Sequence, residues 1–160
     1  MKGYSLIEVI IVIALIAIFS LFGSIKFNQF REDTVINLAT EEFESHVRSA
    51  RAKSMVGEIR EGETVALFEE NGLPSWGVSA SVNTYSIFRE FILKGEPDKT
   101  RETIETITLD SSFNISGDTE VLFPRISGQS SATFIIEKVD TALKREVSIN
   151  LQGVITIKTI

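Results

Sequence analysis

Residues 4–25 read YSLIEVIIVIALIAIFSLFGSI, a run in which Glu8 is the only charged side chain. Such a run fits a buried core helix, a secretory signal peptide or a membrane-spanning helix. A core helix is seldom apolar on every face, and a signal peptide has a shorter apolar stretch followed by a small-x-small cleavage site. About 20 apolar residues cross the hydrocarbon core of a bilayer. The run therefore favours a transmembrane helix over residues 4–25, and Lys2 favours a cytoplasmic N-terminus.

Glu8 is the anomaly of this run. An ionised side chain inside a bilayer costs on the order of a few kcal/mol, and less near the interface. Ser5 and Glu8 have the S-x-x-E spacing of a capping box, and the helix dipole favours an acid in the first turn. These local effects explain why an acid is tolerated there, but they do not explain why it is preferred to an uncharged cap. Glu8 is therefore a candidate functional residue that needs a partner.

The stretch KGYSLIEVIIVIALIAI, residues 2–18, resembles the signal and N-terminal helix of type IV pilins and type II secretion pseudopilins. In that family a membrane prepilin peptidase cuts after the glycine of a short basic leader, and the new N-terminal residue is methylated. The resemblance implies a leader of residues 1–3, cleavage between Gly3 and Tyr4, and N-methylation of Tyr4. Tyr4 and Ser5 replace the phenylalanine and threonine that are more usual in the family.

The resemblance also implies a partner for Glu8, which would be the fifth residue of the mature chain and the family's characteristic acid. After cleavage Tyr4 carries a free amine in an apolar setting, where opposite charges attract far more strongly than at a surface. An unpaired charge in that setting is correspondingly costly. We therefore expect Glu8 to pair with the Tyr4 amine of a neighbouring subunit when the helices pack in a filament.

Residues 26–56 continue the helix as an amphipathic segment. An apolar stripe with helical spacing runs through it: Ile36, Ala39, Phe43, Val47 and Ala50. This spacing predicts that the stripe docks on the following domain. A helix over residues 4–56 would be about 80 Å long, which suits a filament core of bundled helices.

Residues 57–160 contain short alternating segments separated by polar turns, which predicts an antiparallel β domain with two small sheets as one arrangement. The predicted strands are Thr64–Phe68, Trp76–Val82, Thr84–Phe88, Thr103–Leu109, Phe113–Ile115, Val121–Phe123, Thr133–Val139, Val147–Leu151 and Val154–Ile157. The predicted fold class is α+β and pilin-like: a long N-terminal helix, membrane-spanning in its first half, packed on this C-terminal domain.

Three segments of the C-terminal half resemble H-type minor pseudopilins. They are FESHVRSARAKSM at 43–55, VLFPRISG at 121–128 and REVSINLQGVITI at 145–157. The second carries one residue more than the F-x-P-x-G element that it resembles. The chain has no cysteine, which argues against the disulfide-looped major pilins but leaves other major subunits open.

No segment assembles a catalytic, cofactor or metal site, so we expect neither an enzyme nor a cofactor. The lone His46 has no base or nucleophile near it in sequence and is expected to be a solvated neighbour of the stripe. The loop GEPDKTR at 95–101 has two acids, too few for the six to eight oxygen ligands of calcium. The small basic cluster of Arg48, Arg51 and Lys53 is interpreted as an ordinary exposed turn of helix.

The net charge of −6 is carried by the outer part of the chain. Residues 61–160 hold nine Lys/Arg and fifteen Asp/Glu, whereas residues 26–60 are neutral. This acidity argues against broad nucleic-acid binding, which depends on basic side chains that neutralise phosphates. A DNA-binding minor pilin at the tip of a competence-type pilus is the alternative function. It would need a basic patch, but only Lys158 is basic after Arg145.

The resemblance implies a structural subunit, minor or major, of a type II secretion pseudopilus or type IV pilus. Its partners would be other subunits, the prepilin peptidase, an inner-membrane assembly platform and, before assembly, membrane lipid. We expect a single-pass cytoplasmic-membrane precursor with the β domain outside the cytoplasm, followed by a periplasmic or cell-surface filament.

Overall fold

One long helix is followed by strands that pair into two antiparallel sheets. The computed structural model of the chain describes residues 5–69, 72–141 and 143–160, and the side chains of residues 21–25 lie outside that description. Helix α1 spans Leu6–Val56. The described residues form these strands: β1 Ser75–Ala80, β2 Thr84–Phe91, β3 Thr100–Thr108, β4 Phe113–Gly117, β5 Glu120–Phe123, β6 Ala132–Lys138, β7 Leu143–Ile149 and β8 Ile155–Thr159.

The strands form two four-stranded sheets. Sheet 1 has the order β3-β2-β1-β5 and sheet 2 the order β4-β6-β7-β8, with every neighbouring pair antiparallel. The chain therefore changes sheets three times, between β3 and β4, between β4 and β5, and between β5 and β6. β3 is an edge strand whose pairing with β2 is irregular: Ile87 pairs with Glu105 and Phe88 with Thr103, so Ile104 is the extra residue of a bulge. The predicted α+β class is confirmed, with two small sheets.

The chain divides into two compact units, Met1–Val35 and Ile36–Ile160, called here the N-terminal and C-terminal units. The core of the C-terminal unit is built on the predicted stripe, in which Ile36, Phe43, Val47 and Ala50 are fully buried. The ring of Phe43 lies edge-on to Tyr85 of β2 and Phe134 of β6, at centroid distances of 5.0 and 5.1 Å. Phe43 thus contacts both sheets at once.

Among the described side chains of the helix, two polar ones are also buried, which the apolar pattern did not predict. The Thr40 hydroxyl donates a 2.7 Å hydrogen bond to the carbonyl oxygen of Ile36. The Ser54 hydroxyl donates to the carbonyl oxygen of Phe123 in β5. Because a buried hydroxyl with a partner avoids most of its desolvation penalty, both residues are compatible with the core. Ser54 in addition links the helix to an outer strand of sheet 1.

The predicted strand Thr64–Phe68 is wrong. Val65–Leu67 forms a short 3-10 helix whose apolar side chains are exposed. Only Phe68 is buried, and it makes an isolated bridge with Leu93. The remaining predicted strands are present with shifted ends. β7 stops at Ile149 because a turn follows, in which the Asn150 carbonyl accepts from Gly153 N–H at 2.7 Å.

Gly77 in β1 lies where two strands and an aromatic ring approach closely. A Cβ placed there would be 2.5 Å from the carbonyl oxygen of Val121 and 2.6 Å from Cζ of Phe88. Both distances are well below van der Waals contact, and one neighbour is backbone, which cannot move aside cheaply. Glycine is therefore required by packing at this position.

Candidate assembly surface on the N-terminal helix

Residues 5–20 of the helix present apolar side chains on every face. All described side chains from residue 5 to residue 20 are exposed. The large apolar ones are Leu6, Ile7, Val9, Ile10, Ile11, Val12, Ile13, Leu15, Ile16, Ile18 and Phe19. A helix that is apolar all round is normally buried in a protein core or in lipid. Since no described residue covers it, the surface is suited to contact lipid or other helices.

Within the part of the chain that the structure describes, no helix reaches the combination of length and apolarity needed to cross a membrane. The predicted span of residues 4–25 includes Tyr4 and five side chains at 21–25 that lie outside the described residues. Gly3 and Tyr4, the predicted cleavage and methylation residues, lie outside them as well.

Glu8 sits in the exposed first turn of α1. The carbonyl oxygen of Ser5 accepts from the Glu8 N–H at 3.0 Å and from the Val9 N–H at 3.3 Å, so Ser5 occupies the N-cap position. The reciprocal side-chain bonds of a capping box are not formed between Ser5 and Glu8. The Glu8 carboxylate makes no hydrogen bond or ion pair with any described residue. It is favoured by the helix dipole but remains open to a partner on an otherwise apolar surface.

Residues 1–24 match the prokaryotic N-terminal methylation motif. No curated protein sequence and no solved structure matches the chain significantly. The motif covers the predicted leader, the cleavage position and Glu8, and it supports a structural subunit of the type IV pilin and pseudopilin kind. It also implies processing by a prepilin peptidase and assembly with other pilin subunits. The long helix followed by two four-stranded antiparallel sheets is itself pilin-like.

Downstream of the methylation motif, His46 has a different environment from the one predicted. It is half-buried, and its Nδ1 lies 2.8 Å from the hydroxyl oxygen of Tyr85. Burial raises the pKa of the Tyr85 phenol well above its usual value, and the charges of Glu42 and Glu105 raise it further. The phenol therefore stays protonated, and the pair acts as a satisfied core hydrogen bond. Among the described residues, no group of three His, Asp or Glu could hold a metal ion.

A charge network that the sequence analysis missed surrounds Arg89 of β2, a residue only 1% exposed. Its guanidinium donates to both carboxylate oxygens of Glu63, at 2.7 and 2.6 Å, and its Nε donates to Glu102 of β3 at 2.8 Å. Arg60 adds a 2.6 Å bond from Nη1 to Glu102. Two cations and two carboxylates therefore balance, and they hold the segment after the helix against sheet 1.

The same network shifts the pKa values of Glu63 and Arg89. Hydrogen bonds from the Arg89 guanidinium lower the pKa of the Glu63 carboxyl to about 2, with a smaller contribution from the Arg60 N–H. The two carboxylates in turn raise the pKa of Arg89. Arg89 and Glu102 are direct cross-strand neighbours. If the β2–β3 register had been known, the sequence alone would have placed Arg89 beside Glu102. No local sequence pattern indicates that Glu63 joins them.

The predicted basic cluster on the helix divides into three separate environments. Arg48 pairs with Glu44 one turn earlier, with 2.9 Å between Nε and Oε1. Lys53 lies 3.2 Å from a Glu58 carboxylate oxygen. Arg51 differs from the expected exposed turn because it is half-buried, and its guanidinium donates to main-chain carbonyls of two loops.

Proposed function

We propose that this chain is a structural subunit, of the minor pseudopilin or pilin kind, in a type II secretion pseudopilus or type IV pilus. The observation that carries the proposal is an all-round apolar helix surface with one unpartnered carboxylate, Glu8, inside the matched methylation motif. Lipid can cover the apolar side chains, but it offers no fixed cation to the carboxylate. A bundle of identical or related helices can satisfy both.

In this proposal the precursor is held in the cytoplasmic membrane by residues 4–25. The prepilin peptidase cuts between Gly3 and Tyr4, and Tyr4 becomes the methylated N-terminus. The leader, cleavage site and acid stand in the order that this processing requires, and the motif match spans all of them.

The H-type minor subunit is the form that we favour. The segment VLFPRISG at 121–128 has one residue more than the element that it resembles. The structure offers a way to accommodate it, because Ile126 takes up a positive φ and the Gly128 N–H still closes back on the Pro124 carbonyl at 2.9 Å.

Assembly depends in this proposal on an ion pair between Glu8 and the Tyr4 amine of the adjacent subunit. Bringing either charge alone into an apolar bundle is costly, whereas the pair is strongly attractive at low dielectric. Tyr4 and Glu8 are four positions apart in sequence, so an axial stagger between neighbouring subunits would let the two groups meet. The pair thus sets the register of the helices as well as their affinity.

The test compares Glu8→Leu with Glu8→Gln in the full-length chain. Membrane insertion, cleavage and recovery in sheared filaments are scored separately, and intact mass identifies a mature chain that begins at methylated Tyr4. We expect normal insertion and cleavage with loss from the filament fraction, because removal of one partner of a buried ion pair costs about 3–5 kcal/mol. Glu8→Gln keeps the size and the hydrogen-bonding capacity but not the charge, and should behave like Glu8→Leu.

Wild-type filament recovery and function with Glu8→Leu would contradict the ion pair and leave Glu8 as an acid that only favours the helix N-terminus. A mature chain that begins at any residue other than Tyr4 would contradict the processing step instead.

A further inference from the structure

A small cleft lies on the face of sheet 1 that points away from helix α1. Tyr85 of β2 contacts Phe43 on the helix side, and since side chains alternate along a strand, Glu90 of β2 lies on the opposite face. Glu90 and its cross-strand neighbour Ser75 line the cleft together with Lys99, which belongs to the loop between β2 and β3. The cleft has a volume of about 130 Å³. This volume suits a ligand of a few heavy atoms, since pockets for drug-sized ligands measure about 300–1,000 Å³.

Main-chain hydrogen bonds hold the wall of the cleft in place. The Ile92 N–H donates to the Gly72 carbonyl oxygen at 3.1 Å, and the Glu69 N–H donates to the Ile92 carbonyl oxygen at 3.1 Å. A Cβ at Gly72 would lie only 2.6 Å from that same Ile92 oxygen, so a larger residue there would force the two segments apart. Leu73 and Leu122 also line the cleft. The cleft is therefore preformed, with apolar side chains beside its charged ones.

Glu90 brings a carboxylate to this cleft that makes no hydrogen bond with a described residue. Its side chain is only 19% exposed. It forms an ion pair with Nη1 of Arg101 at 3.7 Å, a distance too long for a hydrogen bond. Arg101 instead donates from Nη2 to Glu120 of β5 at 2.9 Å, and its guanidinium stacks over the ring of Phe88. A largely buried carboxylate without a donor is unfavourable, so an ammonium group that enters the cleft would be favoured beside Glu90.

Lys99 brings the opposite charge to the same cleft. It is exposed, and it forms no hydrogen bond or ion pair with a described residue. It therefore does not pair with Glu90, although both residues line the cleft. The hydroxyl of Ser75 likewise makes no hydrogen bond with a described residue, and a hydroxyl can accept from an ammonium group or donate to a carboxylate. Two opposite charges that share a cleft but not a bond are complementary to a ligand that carries both signs.

We propose that this cleft binds a small zwitterion with the head group of an α-amino acid. The Glu90 carboxylate accepts from the ligand's ammonium group, and the Lys99 ammonium group pairs with the ligand's carboxylate. Leu73, Ile92 and Leu122 receive a short apolar side chain. Recognition of both charges gives selectivity over ligands that carry only one. The site is independent of the proposed structural role, because every residue of the cleft belongs to the C-terminal unit.

The first probe is radiolabelled L-alanine, whose binding to the full-length chain in detergent micelles is measured by equilibrium dialysis. We expect a Kd of about 1 mM or tighter, a modest affinity that fits a small ligand in a partly open cleft. Propionate lacks the ammonium group of alanine, and ethylamine lacks its carboxylate. Each should compete with alanine about tenfold less well than unlabelled alanine does, because each leaves one charge of the cleft unpaired.

Two substitutions test the two charges of the cleft separately. Glu90→Gln and Lys99→Met each remove one charge at nearly constant size, and each should weaken alanine binding by about tenfold. The matched controls are Glu96→Gln and Lys94→Met, which change exposed residues of the same loop that do not line the cleft. Both controls should bind alanine as the unsubstituted chain does.

A Kd for alanine above about 10 mM would overturn the proposal. Equal competition by propionate would replace it with a simple anion contact, and equal competition by ethylamine with a simple cation contact. Alanine binding that Glu90→Gln and Lys99→Met both leave unchanged would also overturn it. If circular dichroism shows that Glu90→Gln is unfolded, Lys99→Met in the exposed loop decides alone. Loss of filaments in the Glu8 experiment bears on the proposed function and leaves this site unaffected.

Discussion

Two phenylalanines in α1 have opposite environments. Phe30 of the N-terminal unit is 70% exposed, whereas Phe43 of the C-terminal unit is 0% exposed and contacts both sheets. The residue type and the secondary structure are the same. What differs is the pattern around them: Phe30 stands among polar and charged residues, KFNQFREDT at 26–34, whereas around Phe43 apolar side chains recur every three or four positions and form the docking stripe. The stripe is covered by the sheets, and Phe30 is not part of it.

One acid of each unit shows the same contrast. Glu8 has no partner among the described residues, whereas Glu63 is held by both terminal nitrogens of the buried Arg89. Glu63 has its polar contacts within the folded unit, and Glu8 remains open to a partner. A subunit that folds before it assembles needs this division.

The strongest test of this contrast exchanges each phenylalanine for alanine in a fragment of residues 27–160. We expect the fragment to be monomeric, with mixed helix and sheet by circular dichroism. Phe43→Ala should lower the free energy of unfolding by about 3–5 kcal/mol, because it leaves a cavity between two sheets. Phe30→Ala should change it by about 0.5 kcal/mol or less. Denaturant unfolding measures both, and equal effects would show that Phe30 also belongs to the folded core.

Gly77→Ala should have the next largest effect on the same fragment. The added methyl group would meet the Val121 carbonyl and the Phe88 ring, and overpacking of this kind costs about 1–3 kcal/mol. Ser79→Ala, on the same strand and half-buried, is the matched control and should be nearly neutral. An unfolding midpoint unchanged by Gly77→Ala would mean that β1 and β5 can separate without cost.

Acid sensitivity should be the smallest of the three effects. The pKa of Glu63 is lowered to about 2 in the folded state from 4.5. Its stabilisation is therefore present above pH 4.5 and is lost as the pH falls towards 2. We expect Glu63→Gln to remove about 1–2 kcal/mol of this pH-dependent stability, reduced from the full value because the carboxylate is partly exposed.

The measurement is the free energy of unfolding of the fragment at several pH values between 2 and 6. Glu61→Gln, an exposed acid of the same segment, controls for the change in net charge. A Glu63→Gln profile parallel to that of the unsubstituted fragment would rule out the Arg89 network as a source of acid sensitivity.

Local patterns predicted the helix, the docking stripe and the antiparallel class, because each depends on neighbours within about four positions. The methylation motif is likewise continuous in sequence, so the processing residues and Glu8 could be proposed from it directly. The stripe was recovered through its apolar members, while Thr40 and Ser54 were missed because their burial depends on hydrogen bonds that periodicity does not report.

The features that sequence did not predict join distant positions. Arg51 bonds to carbonyls 77 and 101 residues away, and His46 bonds to a tyrosine 39 residues away. Alternation alone predicted a strand at Thr64–Phe68, but apart from one isolated bridge this segment has no strand partner among the described residues. Contacts of this kind depend on the sheet order and on the strand register. A short stretch of sequence reveals neither.

The bulge at Ile104 has a consequence for crowding. β3 is a nine-residue strand at the edge of sheet 1. Another chain can pair with an open edge strand and extend the sheet, which is the first step of amyloid-like aggregation. A bulge twists that edge, and the charged side chains of Arg101, Glu102 and Glu105 make a straight, close approach unfavourable. In the proposed filament, neighbouring copies would therefore be hindered from merging their sheets through this edge.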